Sequence, residues 1–550
     1  MKFVAGVLIA GGLSAQSVQT LAQIDDVVTG VGAIASVDNA VISDNGTWLM
    51  LCGTDGAPNL DSVVLKNGLL LLREGDAVSS PEGATIHEFV DWEIDRRGSL
   101  VQHVRISVGG EVLDALYWND RLLVLQNTPV GTVDSGAKCW NRFEGFRVNS
   151  ESQVLILANI IDASDIGLPV EGQNTLVLIE TDPNGDVIEK KTLVVEGYEL
   201  PGLPSPVDRF PANPGSNTIG LNRYAEFLWS PITEDGTQFL MITTEEIVSH
   251  TDFGFVDPDD SRIDGRRIRD FEDYRGDINN MRDFAYSCRL RTFNAAELES
   301  DWVVALNNEK FVQEGDVLPS LADAVIDEGT DAPIYLANNQ IIYWQAALRD
   351  TGAHENLAFM RGDSVIVRKG HTVLDGKLVT DIEAGPEAFY VSSDGRYWSG
   401  RVQLEGTGDA LAYADFGLAV PLPGRRLNEG VLRVVSGNVL LDREITLLFD
   451  DAQAPGTPAF LFFSTIPAVT GAETGHIFEY GELLVGLPLH FLIPGPTWYG
   501  SAVEVNESAP SDPALVGTVW FGQAAYLNFT HQTSETVRLT NGLRIELGQP

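Results

Sequence analysis

Short apolar runs separated by turn-forming residues recur along most of the chain. The run at 63–65 is joined to a second apolar run through Asn67-Gly68, and the run at 115–118 is joined to another through Asn119-Asp120. These pairs tolerate the positive φ that a two-residue β-hairpin demands. Helical periodicity is nearly absent. The pattern therefore predicts an all-β protein built from antiparallel hairpins.

The hairpins belong to a repeated unit whose landmarks keep a constant spacing. Gly46 and Gly98 are 52 positions apart, and Asn67 and Asn119 are also 52 positions apart. Asn307 follows Asn67 by 240 positions. Two landmarks that share one offset are hard to obtain by chance, so the chain is expected to contain tandem structural repeats.

A corner follows the hairpin in the best-defined units. It reads Glu-Gly-Asp at 74–76 and again at 314–316. The glycine of this triplet permits a sharp bend. The corresponding residues at 125–128 and 368–371 depart from the pattern. About seven units fit between residues 31 and 423. Small antiparallel sheets repeated at this length favour a β-propeller over a helical solenoid. A β-solenoid is the structural alternative, although its coils are shorter and lack the hairpin.

The register of the repeat stops near residue 425. Four later strand-like runs have irregular spacing and predict a C-terminal antiparallel β-sandwich; they lie at 431–437, 444–449, 459–464 and 516–526. The predicted organisation is a removable segment at 1–22, a β-propeller of about seven blades at 23–424 and the sandwich at 425–550.

Both parts resemble exported proteins of Planctomycetes-type bacteria. The repeat, with its Asn-containing turn and its Arg-Glu-Gly-Asp-like corner at 73–76, resembles a tandem repeat of uncharacterised extracellular chains. The tail is similar to a C-terminal β-domain of secreted proteins through residues 458–463, 512–517, 523–525 and 539–545. The resemblance implies export and surface retention, and it implies no reaction.

The first 22 residues are typical of a secretory signal. Lys2 precedes a short apolar run, and Thr20-Leu21-Ala22 forms a plausible cleavage site before Gln23. The run is too short to span a bilayer as a helix, and no later stretch is long and apolar enough to do so. We therefore expect a secreted or cell-surface protein.

The charge balance excludes some partners. The chain holds 78 Asp and Glu against 36 Lys and Arg, a formal net charge of -42, which repels nucleic acid and anionic lipid. A solubilising role of this charge in a saline environment is a further hypothesis. A monomer is expected.

Three cysteines cannot form a disulfide framework. Cys52 and Cys288 occupy equivalent places in non-adjacent units, which predicts buried free thiols. Cys139 has no evident partner.

One acidic loop is the candidate metal site. Asp257, Asp259, Asp260 and Asp264 offer hard oxygen ligands for Ca²⁺. Interleaved arginines can neutralise them, and the spacing does not match an EF-hand loop. The favoured interpretation is a solvated loop without a cofactor, with calcium as the alternative.

Two Arg-Gly-Asp triplets suggest adhesion motifs but have simpler interpretations. Arg361-Gly362-Asp363 falls in the register of Asn67-Gly68, which predicts a hairpin tip. Arg275-Gly276-Asp277 is expected in a charged loop.

No residue is assigned as catalytic or cofactor-binding. The eight histidines are scattered singly, and no nucleophile elbow, phosphate loop or dinucleotide fingerprint occurs. We expect a non-enzymatic propeller for binding or cell-envelope association, with an extracellular glycan or a cell-surface protein as partner. The alternative is a polysaccharide hydrolase or lyase with acidic residues near the propeller axis. Two carboxylates in a deep axial pocket would favour the enzyme, and a plugged channel would favour binding.

Overall fold

The computed structural model describes the greater part of the chain. The described residues are 18–57, 60–95, 98–131, 138–182, 184–200, 203–210, 218–243, 255–256, 261–271, 274–291, 300–321, 324–327, 329–349, 356–421, 431–437, 444–450, 458–466, 468–470, 473–474, 476–478, 481–497, 503–508, 513–515, 518–527 and 537–547. Their regular structure is antiparallel β-strand with three 3₁₀ turns, at Ala163–Asp165, Pro319–Leu321 and Pro513–Leu515. Among them, no helix has the length and apolar character needed to cross a membrane.

The strands are numbered in chain order. The first fourteen are β1 (Gln19–Gln23), β2 (Val27–Val28), β3 (Gly32–Ile42), β4 (Trp48–Thr54), β5 (Ser62–Lys66), β6 (Leu69–Arg73), β7 (Thr85–Ile94), β8 (Leu100–Val108), β9 (Glu111–Trp118), β10 (Arg121–Leu125), β11 (Lys138–Val148), β12 (Gln153–Asp162), β13 (Gln173–Thr181) and β14 (Val187–Val195). The next twelve are β15 (Val207–Arg209), β16 (Gly220–Leu221), β17 (Phe227–Trp229), β18 (Ile232–Thr233), β19 (Leu240–Thr243), β20 (Phe255–Val256), β21 (Arg262–Ile263), β22 (Arg266–Asp270), β23 (Gly276–Ile278), β24 (Phe284–Leu290), β25 (Trp302–Leu306) and β26 (Glu309–Gln313).

The remaining strands extend to residue 546. Ten of them are β27 (Val325–Ile326), β28 (Tyr335–Leu336), β29 (Ile342–Arg349), β30 (Leu357–Arg361), β31 (Ser364–Arg368), β32 (Val373–Leu374), β33 (Lys377–Ile382), β34 (Phe389–Val391), β35 (Tyr397–Leu404) and β36 (Gly408–Asp415). The last twelve are β37 (Leu418–Pro421), β38 (Val431–Gly437), β39 (Glu444–Asp450), β40 (Pro458–Ser464), β41 (Val469–Thr470), β42 (Glu473–Thr474), β43 (His476–Phe478), β44 (Gly481–Leu483), β45 (Phe491–Thr497), β46 (Val503–Ser508), β47 (Val519–Leu527) and β48 (Val537–Glu546).

Seven sheets of four to six strands follow one another through the described residues between 19 and 415. They are sheet 1 (β2–β6), sheet 2 (β7–β10), sheet 3 (β11–β14), sheet 4 (β16, β17, β19 and β20), sheet 5 (β21–β26), sheet 6 (β27–β31) and sheet 7 (β32–β36 with β1). β15 pairs with β18 beside sheet 4. The expectation of an all-β chain is confirmed.

The first strand of the chain completes the last of these sheets. β1 pairs antiparallel with β36, from Gln19 opposite Tyr413 to Gln23 opposite Ala410. Ala22 is buried, and Lys377 Nζ donates to Gln23 Oε1 at 3.0 Å. The predicted cleavage site after Ala22 lies inside β1. The segment 1–22 as a removable signal stays a prediction.

The hydrophobic core is divided among the contacts between successive sheets. Buried clusters join sheets 1 and 2, 2 and 3, 3 and 4, 4 and 5, 5 and 6, and 6 and 7. A further cluster joins sheet 7 to sheet 1, where Ala22 and Leu411 pack against side chains that include Met50. Each sheet therefore covers an apolar face of its neighbour, and the series returns to its first member.

The innermost strands repeat this circuit. β3 contacts β7, β7 contacts β11, β11 contacts β16, β16 contacts β23, β23 contacts β28, and β34 contacts β3. Between β28 and β34, the ring of Tyr335 lies 5.5 Å from that of Phe389 and 5.2 Å from that of Tyr390. Seven strands from distant parts of the chain consequently surround one central region.

The predicted hairpins occur with one geometry. Asn67, Asn119 and Asn307 have φ of 51°, 51° and 50°. The side-chain oxygen of each accepts a hydrogen bond from the first amide of a strand in the same sheet, β4, β8 or β24, at 3.0, 2.9 and 3.0 Å. The equal spacing in sequence therefore reflects one repeated turn that also anchors the preceding strand.

The corner after the hairpin links each sheet to the next. Gly75 and Gly315 have positive φ, and their amides donate to Ile86 and Ile326 of the following sheet, both at 2.8 Å. Asn127 adopts the same conformation and donates to Trp140 at 2.8 Å, although its sequence departs from Glu-Gly-Asp. The corner thus depends on one backbone conformation rather than on one triplet.

The last part of the chain forms separate sheets. β37, β48, β47, β40 and β45 make one sheet, and β38, β39 and β46 make another. The two sheets contact each other through β38 with β48 and β45 with β46. The four runs predicted as strands lie on β38, β39, β40 and β47. β37 belongs to this region although it precedes residue 425.

One arginine joins sheet 7 to the tail. Arg396 donates to both carboxylate oxygens of Asp415 at 3.0 and 3.2 Å, and its Nη1 donates to Glu546 of β48 at 2.6 Å. Burial lowers the pKa of the guanidinium, but the contacts with Asp415 and Glu546 outweigh it and the net pKa is raised, so Arg396 stays charged.

Replacing Asn119 by Ala tests the hairpin. Ala has no side-chain acceptor for the Leu100 amide and is strained at positive φ, so the free energy of unfolding is expected to fall by about 1–2 kcal/mol. Asn119→Asp keeps the acceptor and is expected to lose less. Urea unfolding of both variants measures the difference. Equal losses for Ala and Asp would contradict this role of the side chain.

Candidate functional site

The turns at the ends of the inner strands surround two adjoining cavities. The narrow cavity, about 90 Å³, is lined by residues from all seven sheets, among them Ser43, Asp95, Asn149, Leu221, Asn279, Asn338 and Ser393. The wide cavity, about 200 Å³, is lined among others by Asn39, Asp91, Trp92, Glu144, Glu387 and Phe389. Four residues line both cavities and form a waist between them: Glu93, Arg147, Tyr335 and Tyr390.

A buried ion pair occupies this waist. Arg147 Nη1 donates to Glu93 Oε1 at 2.5 Å, and the amide of Val148 donates to Glu93 Oε2 at 2.7 Å. Arg147 Nε donates to the carbonyl of Ile219 at 2.9 Å, and the guanidinium lies 5.5 Å from the ring centre of Tyr335. Burial raises the pKa of Glu93 to about 7, although Arg147 opposes the rise. The pair therefore plugs the passage between the cavities and connects sheets 2, 3 and 4.

Asp277 is a second carboxylate at the centre, and two backbone amides donate to it. Its Oδ1 accepts from the Ile278 amide at 2.9 Å and its Oδ2 from the Leu336 amide at 3.0 Å. Burial raises its pKa, and Arg147 opposes the rise. Its contacts hold sheet 5 to sheet 6. The expectation of a charged loop at Arg275-Gly276-Asp277 is wrong, because Gly276–Ile278 is the inner strand β23.

Side-chain amides connect neighbouring turns around the narrow cavity. Asn149 Nδ2 donates to Asn222 O at 2.8 Å, Asn222 Nδ2 to Asn279 O at 3.2 Å, and Asn279 Nδ2 to Ala337 O at 3.3 Å. The oxygen of each asparagine accepts two amides of its own turn. Sequence reasoning missed these asparagines, whose spacings of 73 and 57 residues do not share one offset.

Two acidic residues join the last turn to the first. Asp44 accepts from Ser393 Oγ at 2.8 Å and from the Asp394 amide at 3.1 Å. Burial and the neighbouring Asp44 carboxylate raise the pKa of Asp394 to about 7. The contact between the beginning and the end of the repeats therefore contains a carboxyl group that holds its proton to unusually high pH.

The wide cavity is acidic at its mouth. Glu387 is exposed there, yet partial desolvation and then the Asp91 carboxylate raise its pKa to about 7. Trp92 and Phe389 supply buried aromatic surface. The cavity thus combines carboxylates with apolar walls.

The predicted metal loop lies largely outside the described residues. Asp257, Asp259 and Asp260 belong to this part, whereas Asp264 is exposed in the turn between β21 and β22, with φ of 49°. Its carboxylate is 3.6 Å from Lys310 Nζ. Within the described ranges, no three His, Cys, Asp or Glu side chains are grouped to hold a metal ion. Calcium binding by this loop stays a prediction.

The triplet Arg361-Gly362-Asp363 is a hairpin tip, as expected. Gly362 has φ of 59° and connects β30 to β31. Arg361 is buried, and its guanidinium donates to Tyr343 Oη at 3.0 Å and lies over the ring of Phe416. An adhesion receptor cannot reach this arginine without unfolding the sheet.

The three cysteines are free and buried. Burial raises the pKa of Cys52 to about 12 and also raises that of Cys288. The thiols of Cys52 and Cys288 are therefore unreactive at neutral pH, as expected for core positions.

Comparisons with known proteins leave the chain without an assigned family. No protein-family model and no curated protein matches it. It is similar at 11% identity and a TM-score of 0.20 to a GH43 glycoside hydrolase engineered for endo-xylanase and exo-arabinofuranosidase activity, over 83% of this chain and 93% of that one. It is similar at 10% identity and a TM-score of 0.12 to a tetra-tandem repeat in the extending region of a large adhesion protein, over 93% of this chain and 97% of that one. Scores this low establish neither a shared fold nor a shared function.

Removing Arg147 tests the waist. Arg147→Met leaves Glu93 buried without its cation, so the free energy of unfolding is expected to fall by about 3–5 kcal/mol at pH 8. The loss is expected to shrink at pH 5, where Glu93 is protonated. The control is Arg147→Met with Glu93→Gln, which removes both charges and is expected to recover part of the loss. A loss equal at both pH values would contradict the charge argument.

Asp394→Asn tests the junction between the last and first turns. A carboxyl whose pKa rises from 3.8 to about 7 on folding binds more protons in the folded state across that range. The free energy of unfolding of the wild type is therefore expected to fall as pH rises from 4 to 7. Asn keeps the oxygen that accepts from Ser392 and Arg396 but does not titrate, so the variant is expected to be more stable at pH 8, by on the order of 2 kcal/mol.

Chemical denaturation across this pH range provides the measurement for Asp394→Asn. Asp120→Asn, an exposed substitution in the β9–β10 hairpin rather than at this junction, is the matched control and is expected to follow the wild type. An Asp394→Asn curve parallel to that of the wild type would contradict the assignment.

Proposed function

We propose that this protein is an exported, non-enzymatic β-propeller that binds an extracellular ligand and associates with the cell envelope. The observation that carries the proposal is the plugged waist. Glu93 and Asp277 each accept two hydrogen bonds from their surroundings, and Arg147 is held by Glu93 and Ile219. Groups used in this way support the ring and are not free to transfer protons to a substrate.

The propeller with seven blades is part of the same proposal. It is supported by the seven sheets and by the apolar cluster between sheet 7 and sheet 1, in which Leu411 packs with Val37, Met50 and Val63. The two sheets after residue 417 support a β-sandwich tail. Export and envelope association are supported by the N-terminal sequence and by the resemblance to secreted Planctomycetes-type proteins.

A polysaccharide hydrolase or lyase is the second candidate. The observation that favours it is Glu387, whose pKa of about 7 is suited to a general acid and whose neighbour in the wide cavity is Asp91. Against it, the waist closes the bottom of this cavity. The enzyme would require a substrate that binds only at the mouth.

Incubation with neutral and acidic polysaccharides distinguishes the two functions. We expect retention on an immobilised glycan array without release of reducing ends or unsaturated products, with and without Ca²⁺. Product release by the wild type that is lost in Glu387→Gln would overturn the non-enzymatic proposal. Glu405→Gln, an exposed carboxylate outside both cavities, is the control for that comparison.

A further inference from the structure

The strand β1 has the position of an outer strand in the repeated sheet. It lies at one end of the strand order of sheet 7, as β6 does in sheet 1 and β26 in sheet 5. All three strands have five residues. The fourth residue is buried in both β1 and β26, as Ala22 and as Val312. β1 therefore has the length, the place and the inward-facing position of a repeat strand.

The corner that follows β1 has the hydrogen bonds of the other corners. The amide of Gln23 donates to Oδ2 of Asp26 at 2.9 Å, and the amide of Asp26 donates to the carbonyl of Gln23 at 3.2 Å. The same reciprocal pair closes the corners of sheets 1 and 5, where it joins Arg73 to Asp76 and Gln313 to Asp316. The aspartate at the end of each corner thus has one structural role in all three places.

Asp25 completes this equivalence. Its φ is 72°, and its amide donates to the carbonyl of Ile34 in sheet 1 at 2.9 Å. Gly75 and Gly315 have positive φ and make the same bond to the sheet that follows theirs. Residues 23–26 read Gln-Ile-Asp-Asp, so the sequence pattern did not reveal the match. The segment 19–26 is therefore the outer strand and the corner of the last repeat.

The predicted cut after Ala22 conflicts with this role. It would remove four of the five residues of β1, including Thr20, whose amide donates to Asp375 Oδ2 at 3.2 Å. It would also take Ala22 out of the cluster that it forms with Leu411. β36 would then become an edge strand, with a row of backbone groups that have lost their partners.

The sequence contains a second processing site ahead of β1. Lys2 and the apolar run at 3–13 are followed by Ala15-Gln16-Ser17, which places small residues at the first and third positions of an Ala-x-Ala-like triplet. Thr20-Leu21-Ala22 has the same form but lies five residues further along the chain. A cut after Ser17 leaves every residue of β1 in place.

We propose that the export signal is cut between Ser17 and Val18, so that β1 stays in the mature protein as the outer strand of sheet 7. The inference deepens the proposed function and rests on the export that it includes. The reaction is hydrolysis of one peptide bond by a signal-processing protease. Water supplies the hydroxyl group of the new Ser17 carboxyl and a proton for the new amine of Val18.

Production of the full chain in a bacterium that exports proteins tests the proposal. N-terminal sequencing and intact mass of the exported protein are expected to give Val18 as the first residue. A cut after Ala22 would give a product shorter by the five residues 18–22.

A matched pair of variants identifies the bond that is cut. Ser17→Val and Ala22→Val place the same branched side chain at the last position of the two candidate triplets, where a small residue is required. Ser17→Val is expected to lose the product that begins at Val18, and Ala22→Val is expected to keep it. Valine suits position 22 in the folded sheet, because Val312 occupies the equivalent position in β26.

Urea unfolding of two forms produced without the signal tests the role of β1 separately. The form that begins at Gln23 is expected to unfold at lower urea than the form that begins at Val18, or to fail to fold. Equal midpoints would overturn the role of β1 in the mature protein.

The outcomes separate this inference from the proposed function. Exported protein that begins at Val18 supports the site. Exported protein that begins at Gln23 or at any other residue overturns the site and leaves export intact. Loss of cleavage in Ala22→Val but not in Ser17→Val also overturns the site. Uncut protein that stays inside the cell would instead overturn the proposed export.

Discussion

Every sheet between β1 and β36 has an apolar face that only another sheet can cover, and the rest of the fold depends on this constraint. An uncovered sheet face would expose a row of large aliphatic and aromatic side chains, each worth about 1.5–3 kcal/mol when buried. The clusters between neighbours satisfy six of the contacts. The seventh cluster, between sheet 7 and sheet 1, removes the exposed ends of the series. Pairing of β1 with β36 adds backbone hydrogen bonds at that junction, because the first and last strands of this segment belong to one sheet.

Convergence of the inner strands has an electrostatic consequence. Backbone and side-chain polar groups from distant segments are forced into a small central volume, where an unpaired group is expensive. The asparagine links, the Glu93–Arg147 pair and the contacts of Asp277 satisfy most of these groups. Their cost is visible in the carboxyl groups, whose pKa values rise where burial and neighbouring acids outweigh the available cations.

The same arrangement gives the two central cavities different characters. Around the narrow cavity, turn residues bond mainly to each other across sheet boundaries, which fixes the position of each turn. In the wide cavity, the carboxylate of Glu387 is exposed to solvent at the mouth. The polar groups on one side of the waist are therefore paired with each other, whereas the other side holds an acidic cavity that meets solvent.

The sequence by itself determined the elements that depend on local chemistry. A two-residue hairpin requires positive φ, so Asn67, Asn119 and Gly362 could be placed at turns, and the alternation of apolar runs could be assigned to strands. The inner strands β23, β28 and β34 could not be found in this way, because two or three residues carry no periodicity. Arg147 and Glu93 are 54 positions apart, and no local pattern relates them. Only the tertiary structure decided which polar residues meet at the centre, because that depends on which sheets become neighbours.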